Sequence, residues 1–194
     1  MPLDFDLITN STNHSLVQLS NIIKTDCPHL YLLENFLNPA LLDKLIEFVN
    51  DDSNVKWNTV LYQEKTVRRS ISWIPDTVIE EVHTVMENLT GAMENLFRKN
   101  TRFIGISIWK DIHPYSISMH IDNNTVSTAI QIYLTSGPAN MNTVFKYNNT
   151  EIGAVYQKNS GYIMDNTYKV SHGMLTPVPE NHSRYSLYAI WADE

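Results

Sequence analysis

The sequence predicts a mainly β domain with helices on one face, an α+β arrangement. Three observations lead there. Two amphipathic helical patterns fall before residue 100. Beyond it, short Ile-, Val-, Tyr-, Phe- and Trp-rich segments are separated by Asn, Gly, Pro and Ser clusters, the pattern of short strands joined by turns. No strand–helix–strand alternation occurs, which favours a sandwich or barrel over a parallel sheet. The 194 residues suffice for a sizeable core. One domain is expected over 1–194, with a helical buttress at about 36–100 and a β core at about 101–192.

Taken in order, Leu30–Leu33 is the first strand candidate. Asn38 has the side chain of an N-cap, and Pro39 suits the first helical position, where no N–H is needed. Leu41, Leu42, Leu45, Ile46 and Val49 follow at helical spacing and predict one apolar stripe. Thr59–Gln63 and Arg69–Trp73 are further strand candidates. Thr77 and Glu80 form a capping-box pattern that opens a second helix. In it Val78, Val82, Val85, Met86, Leu89, Met93 and Leu96 keep one face as far as Phe97. Arg98 and Lys99 then suit the negative end of its dipole. Clean amphipathicity predicts that both helices pack on a sheet. The β-rich part supplies Phe103–Trp109, Thr128–Leu134, Thr143–Lys146, Gly161–Met164 and Tyr185–Trp191.

Composition excludes several functions. With 14 Lys+Arg against 21 Asp+Glu the formal charge is −7, which argues against a nucleic-acid partner, since phosphate affinity comes chiefly from clustered cations. No apolar run approaches the roughly 20 residues that span a bilayer, so no membrane association is expected. Met1 to Asn10 lacks the basic region and apolar core of a signal peptide. Cys27 is the sole cysteine, so no internal disulfide forms, and the cytoplasm is the expected compartment.

Chemistry concentrates in the β-rich part. His120-Ile121-Asp122 puts an imidazole and a carboxylate two residues apart, on one face of an extended segment. His172 follows in Val170-Ser171-His172-Gly173. Twelve residues later Arg184 stands at the head of the last apolar strand, with Ser186 beyond it. Two histidines and one carboxylate can occupy one face of an octahedral iron(II) and leave three positions open. A guanidinium matches both oxygens of a carboxylate. His83 is expected on the polar side of the second helix, His14 in a loop and His182 in an exposed turn. His113, Arg68, Arg69 and Lys110 read as solvated loop residues rather than as a substrate entrance. Trp109 reads as a packing residue.

The order His120-x-Asp122, His172, Arg184-x-Ser186 resembles the iron(II)/2-oxoglutarate-dependent oxygenases, in particular their prolyl 4-hydroxylase-like branch. Ile132-Tyr133-Leu134, Thr143-Val144-Phe145, His172-Gly173-Met174-Leu175-Thr176-Pro177-Val178 and the lead-in Glu34-Asn35-Phe36-Leu37-Asn38-Pro39 extend the likeness from about Leu30 to Trp191. Asn140-Met141-Asn142 departs from the Gly-Gly that often precedes the Thr-x-Phe stretch. The resemblance implies a double-stranded β-helix, or jelly-roll, core buttressed by the N-terminal helices. It implies His120, Asp122 and His172 as iron ligands. Arg184 would pair with the far carboxylate of 2-oxoglutarate, with Tyr133 and Ser186 adding hydrogen bonds.

The implied reaction consumes dioxygen, converts 2-oxoglutarate to succinate and CO2, and hydroxylates an unactivated C–H, with ascorbate as a candidate reductant. Asp122 favours hydroxylation, because related halogenases have a small residue at this position. The acceptor is expected to be a prolyl or other residue of a protein or peptide, with a free amino acid or small metabolite as the alternative. A non-catalytic jelly roll holding a structural metal such as zinc is the competing class, and it would have no need of Arg184.

Overall fold

The computed structural model describes residues 16–51, 57–62, 65–71, 77–167 and 169–194. His14, Gln63 and Trp73 lie outside the described residues. Among those described, twelve strands form two antiparallel sheets. The larger orders its strands β1 (Ile22–Lys24), β2 (Leu30–Leu33), β10 (Gly161–Asp165), β7 (Thr128–Tyr133), β12 (Ser183–Asp193), β5 (Thr101–Ile112), β4 (Lys65–Ile71) and β3 (Asn58–Tyr62). The smaller orders them β6 (Ile117–His120), β11 (Val170–Met174), β8 (Thr143–Tyr147) and β9 (Thr150–Ala154). This is the jelly-roll architecture that the resemblance implies.

Period-2 alternation sorts the larger sheet's side chains into two cores. Tyr31, Leu33, Ile130, Ile132, Ile163, Leu187, Ala189 and Trp191 face the helices. Leu30, Tyr133, Tyr162 and Met164 face the smaller sheet, where they meet Phe145, Val170 and Met174. Both faces of β7 are therefore covered, and all six of its residues are buried. A bulge preserves the alternation along β5. Ile190 pairs with Gly105 and Trp191 with Phe103, so Ile104 is the extra residue. Phe103 and Ile106, three apart, consequently pack on the same helix-side core. Gly105 has φ +151°, a conformation that costs little only without a Cβ.

Helix α1 (Pro39–Asn50) begins as the sequence predicts: Asn38 Oδ1 accepts from the Ala40 N–H at 2.9 Å, with Pro39 at the first position. Leu41, Leu42, Leu45 and Val49 are buried and Ile46 packs beside them. Each fully buried side chain of this kind contributes about 1.5–3 kcal/mol. The second predicted helix is two, α2 (Thr77–Glu87) and α3 (Thr90–Phe97). The break has a local cause. The Thr90 hydroxyl donates back to the Glu87 carbonyl at 2.7 Å while accepting from Trp191 Nε1 at 3.0 Å, which fixes a new start three residues on. The apolar face survives the turn through Val82, Val85, Met86, Leu89, Met93 and Leu96. Arg98 closes α3 with left-handed backbone at φ 56°. Lys99 instead reaches the Asp165 carboxylate and the Ser127 carbonyl. Among the described residues no helix is long and apolar enough to cross a membrane.

Candidate active site

The site sits where β6 and β11 run side by side. His120 ends β6 and His172 is its register partner on β11. Gly173 makes that closeness possible, because a Cβ there would lie 2.7 Å from the Ile117 carbonyl oxygen. The two imidazole rings lie 4.4 Å apart, centroid to centroid. Asp122 follows β6 immediately. Its Oδ1 stands 3.4 Å from His120 Nε2 and 3.6 Å from His172 Nε2, and one ligand atom from each residue falls within a 4.8 Å cluster.

Two of the three candidate ligands are held from behind by hydrogen bonds. His120 Nδ1 lies 2.9 Å from the Ser118 carbonyl oxygen; a carbonyl only accepts, so Nδ1 carries the proton and Nε2 is left as the donor toward a metal. The Tyr188 hydroxyl donates to Asp122 Oδ2 at 2.9 Å, leaving Oδ1 toward the histidines. Asn166 Nδ2 donates to the carbonyls of Asp122, Asn123 and Val126 and pins the loop that follows. His172 stacks on Phe145, and its Nδ1 is buried with no hydrogen-bond partner.

The electrostatics agree with this geometry. Burial pushes the His172 pKa down to about 4, with His120 assisting and Asp122 opposing, so the ring is neutral near pH 7. The Asp122 carboxylate, as hydrogen-bond partner, raises the His120 pKa above its ordinary value against desolvation. Burial alone would raise the pKa of Asp122, but His120, His172 and Tyr188 outweigh it and hold the carboxylate ionised. Two imidazole nitrogens and one carboxylate oxygen form a donor set that suits iron(II) with open positions, and Tyr188 and Ser118 are the kind of outer partners that fix such ligands. The residues fit the metal.

A cavity of about 130 Å³ joins this cluster to Arg184 between the two sheets. Arg184, on β12, is only 2% exposed. Its Nη2 donates to Thr143 Oγ1 at 2.7 Å and its Nη1 to Asp111 Oδ2 at 3.2 Å. Burial opposes the charge, yet Tyr133 and the Asp111 carboxylate outweigh it and raise the pKa, so the guanidinium stays protonated. The Tyr133 ring lies 4.9 Å from the guanidinium carbon, and its hydroxyl donates to Thr143 Oγ1 at 2.7 Å. Ser186 is fully buried, and its Oγ accepts from Gln131 Nε2 at 2.8 Å. Thr143 and Gln131 line the cavity together with Arg184.

Other predicted residues fall elsewhere. Trp109 lines the cavity rather than only packing. Lys110 lies in β5, not in a loop, with Nζ 5.2 Å from the Tyr185 ring centroid and 5.5 Å from that of Trp57. Arg68 and Arg69 lie in β4, paired in register with Asp111 and Lys110. His113 is exposed, with Nδ1 2.8 Å from the Val178 carbonyl oxygen. His83 is half-buried, its ring edge-on to Phe103 at 4.9 Å. His182 is exposed beside the turn at Pro179. Sequence reasoning passed over Asp111, Gln131, Thr143, Tyr162 and Tyr188 as site residues. The signal for Tyr188 was its place four residues after Arg184, on the same face of the strand.

No protein-family model and no curated protein matches the chain. Solved structures do match. One is an oxidoreductase of the 2OG-Fe(II) oxygenase family from Burkholderia pseudomallei, at 11% identity over 84% of each chain, with a TM-score of 0.65. A Pseudomonas putida prolyl-4-hydroxylase aligns at 15% identity over 86% of this chain and 93% of its own, with a TM-score of 0.67. HygX from Streptomyces hygroscopicus, solved with nickel, 2-oxoglutarate and hygromycin B, aligns at 7% identity over 85% and 83%, with a TM-score of 0.64. The chain has the fold of the 2OG-Fe(II) oxygenases.

Proposed function

We propose that the chain is an iron(II)- and 2-oxoglutarate-dependent dioxygenase that hydroxylates an unactivated C–H. The observation that carries this reading is one cavity lined both by the converging His120, Asp122 and His172 and by the buried, charged Arg184. A structural zinc site has no use for such a cation. In this reading the two Nε2 atoms and Asp122 Oδ1 hold the metal, and Arg184 with Thr143 binds the far carboxylate of the cosubstrate. Bound iron(II) supplies dioxygen activation coupled to oxidative decarboxylation of 2-oxoglutarate to succinate and CO2.

The protein's own part is binding, orientation and exclusion of water. Tyr188 keeps Asp122 aimed at the metal position. Tyr133 orients Thr143, and the Gln131–Ser186 bond fixes a polar side chain on the cavity wall. Tyr162 extends this network by donating to Gln131 Oε1 at 2.5 Å. Trp109, Ile117 and Met174 give the cavity an apolar portion for the carbon skeleton of an acceptor.

A residue of a protein or peptide is the favoured acceptor, supported by likeness to a prolyl-4-hydroxylase. A small metabolite is the alternative, supported by likeness to HygX, which was solved with hygromycin B. The test is a substrate screen of iron-loaded protein scored by succinate formation, with proline-containing peptides beside free amino acids. Stimulation by peptides alone selects the first acceptor class, and stimulation by small molecules alone the second. No succinate in any arm, together with no binding of 2-oxoglutarate to the manganese(II)-loaded protein, refutes the proposed activity.

A further inference from the structure

We propose that Asp111 is a built-in counter-charge that weakens the grip of Arg184 on the cosubstrate carboxylate and thereby sets cosubstrate affinity. The inference rests on the reading of the cavity given above and adds a residue to it. Asp111 is completely buried on β5, and Arg184 sits directly across from it in the β5–β12 register. The bond between Arg184 Nη1 and Asp111 Oδ2 joins one positive and one negative group far from solvent. Arg184 lines the cavity and Asp111 does not. Asp111 therefore compensates the guanidinium from behind, while Thr143 brackets it from the cavity side. Arg184 Nε is buried without a hydrogen-bond partner, a donor still to be satisfied.

Two consequences follow from electrostatics. A carboxylate arriving at Arg184 meets a guanidinium already paired with Asp111, and it is repelled by that carboxylate through a medium that screens poorly. Neutralising Asp111 while keeping its shape removes the negative charge 3.2 Å from Arg184 Nη1, so the incoming carboxylate takes over as counter-ion of the buried guanidinium. Because ligand binding and folding are linked, such a variant is less stable empty and gains more stability from the ligand than the parent does. The gain is confined to ligands that carry the far carboxylate.

The experiment is calorimetric titration of manganese(II)-loaded protein, which does not turn over, with 2-oxoglutarate and with 2-oxopentanoate, which lacks the far carboxylate. Parent, Asp111→Asn and Asp111→Ser are compared; the serine variant leaves room for a water beside the guanidinium. Thermal unfolding with and without each keto acid is the second readout, and it reports on a variant that folds only when ligand is present. We expect both variants to bind 2-oxoglutarate at least about tenfold more tightly than the parent, with 2-oxopentanoate affinity changed less than about threefold. Their melting temperatures without ligand should fall, and the shift produced by 2-oxoglutarate should grow. Parent-like or weaker 2-oxoglutarate binding in the variants would overturn the role of Asp111 while leaving the reading of the cavity intact. Failure of the parent itself to bind 2-oxoglutarate would overturn that reading, and this inference with it.

Discussion

Replacing Arg184 by Met removes a buried charge while roughly keeping chain length and filling space with a flexible apolar side chain. Asp111, with no exposed surface, then loses the cation 3.2 Å from its Oδ2. Removing one partner of a buried pair costs about 3–5 kcal/mol, because the remaining carboxylate has lost that guanidinium in a poorly solvated place. For a chain of this size each kcal/mol moves the melting temperature by roughly 2–4 °C. Arg184→Met should therefore melt about 6–20 °C below the parent in the metal-free state. Replacing both partners, Asp111→Leu with Arg184→Met, should recover most of the loss, since an apolar pair of similar volume is often as stable as the buried ions. Thermal and urea unfolding followed by circular dichroism, run as a double-mutant cycle, reads out the coupling. If Arg184→Met unfolds within about 0.5 kcal/mol of the parent, or the two single losses simply add, the charge pair does not hold the sheet as argued.

Further outcomes follow from the same contacts. Tyr188→Phe deletes a hydrogen bond to a carboxylate and should weaken manganese(II) or nickel(II) binding about tenfold to a hundredfold with little change in unfolding; unaltered metal affinity would show that Tyr188 does not support Asp122. Metal affinity should fall with decreasing pH, starting above the ordinary histidine value, because His120 has a raised pKa and its proton must leave before a metal binds. His172 stays neutral down to about 4 and adds no competition in that window; a titration flat from pH 8 to 6 would contradict this. Leu45→Ala, at a fully buried position under the larger sheet, should cost about 2–5 kcal/mol in urea unfolding without changing metal affinity.

The parts legible in the sequence are those whose pattern is local. His120-x-Asp122 and His172 stood out because polar ligand types occupy apolar strand contexts, and Arg184 because a cation heads a strand of Tyr, Leu, Ile and Trp. The α1 stripe and its Asn38 cap follow from helical spacing alone. What stayed hidden depends on distant partners. The sequence predicts a strand ending at Trp109, but β5 runs to Ile112 because β12 pairs with it along its whole length, and that extension carries Asp111. The short strands β1, β6, β9 and β11 mix polar residues or glycine with their apolar ones, so no apolar run marks them. The break between α2 and α3 rests on Trp191, 101 residues from Thr90. The Tyr133 hydroxyl donates to Thr143, a contact with a residue that the sequence marks only as part of a resembling stretch.

The most direct test of the account is conversion of 2-oxoglutarate to succinate by the iron(II)-loaded protein, with ascorbate present, for the parent and for His172→Ala. His172 is the buried member of the triad and the register partner of His120, so its loss removes a ligand without touching Arg184. Succinate should form with the parent, but not after exhaustive chelation and not with His172→Ala, although that variant remains folded. Equal succinate formation by the parent and His172→Ala, or turnover that survives removal of the metal, would contradict it.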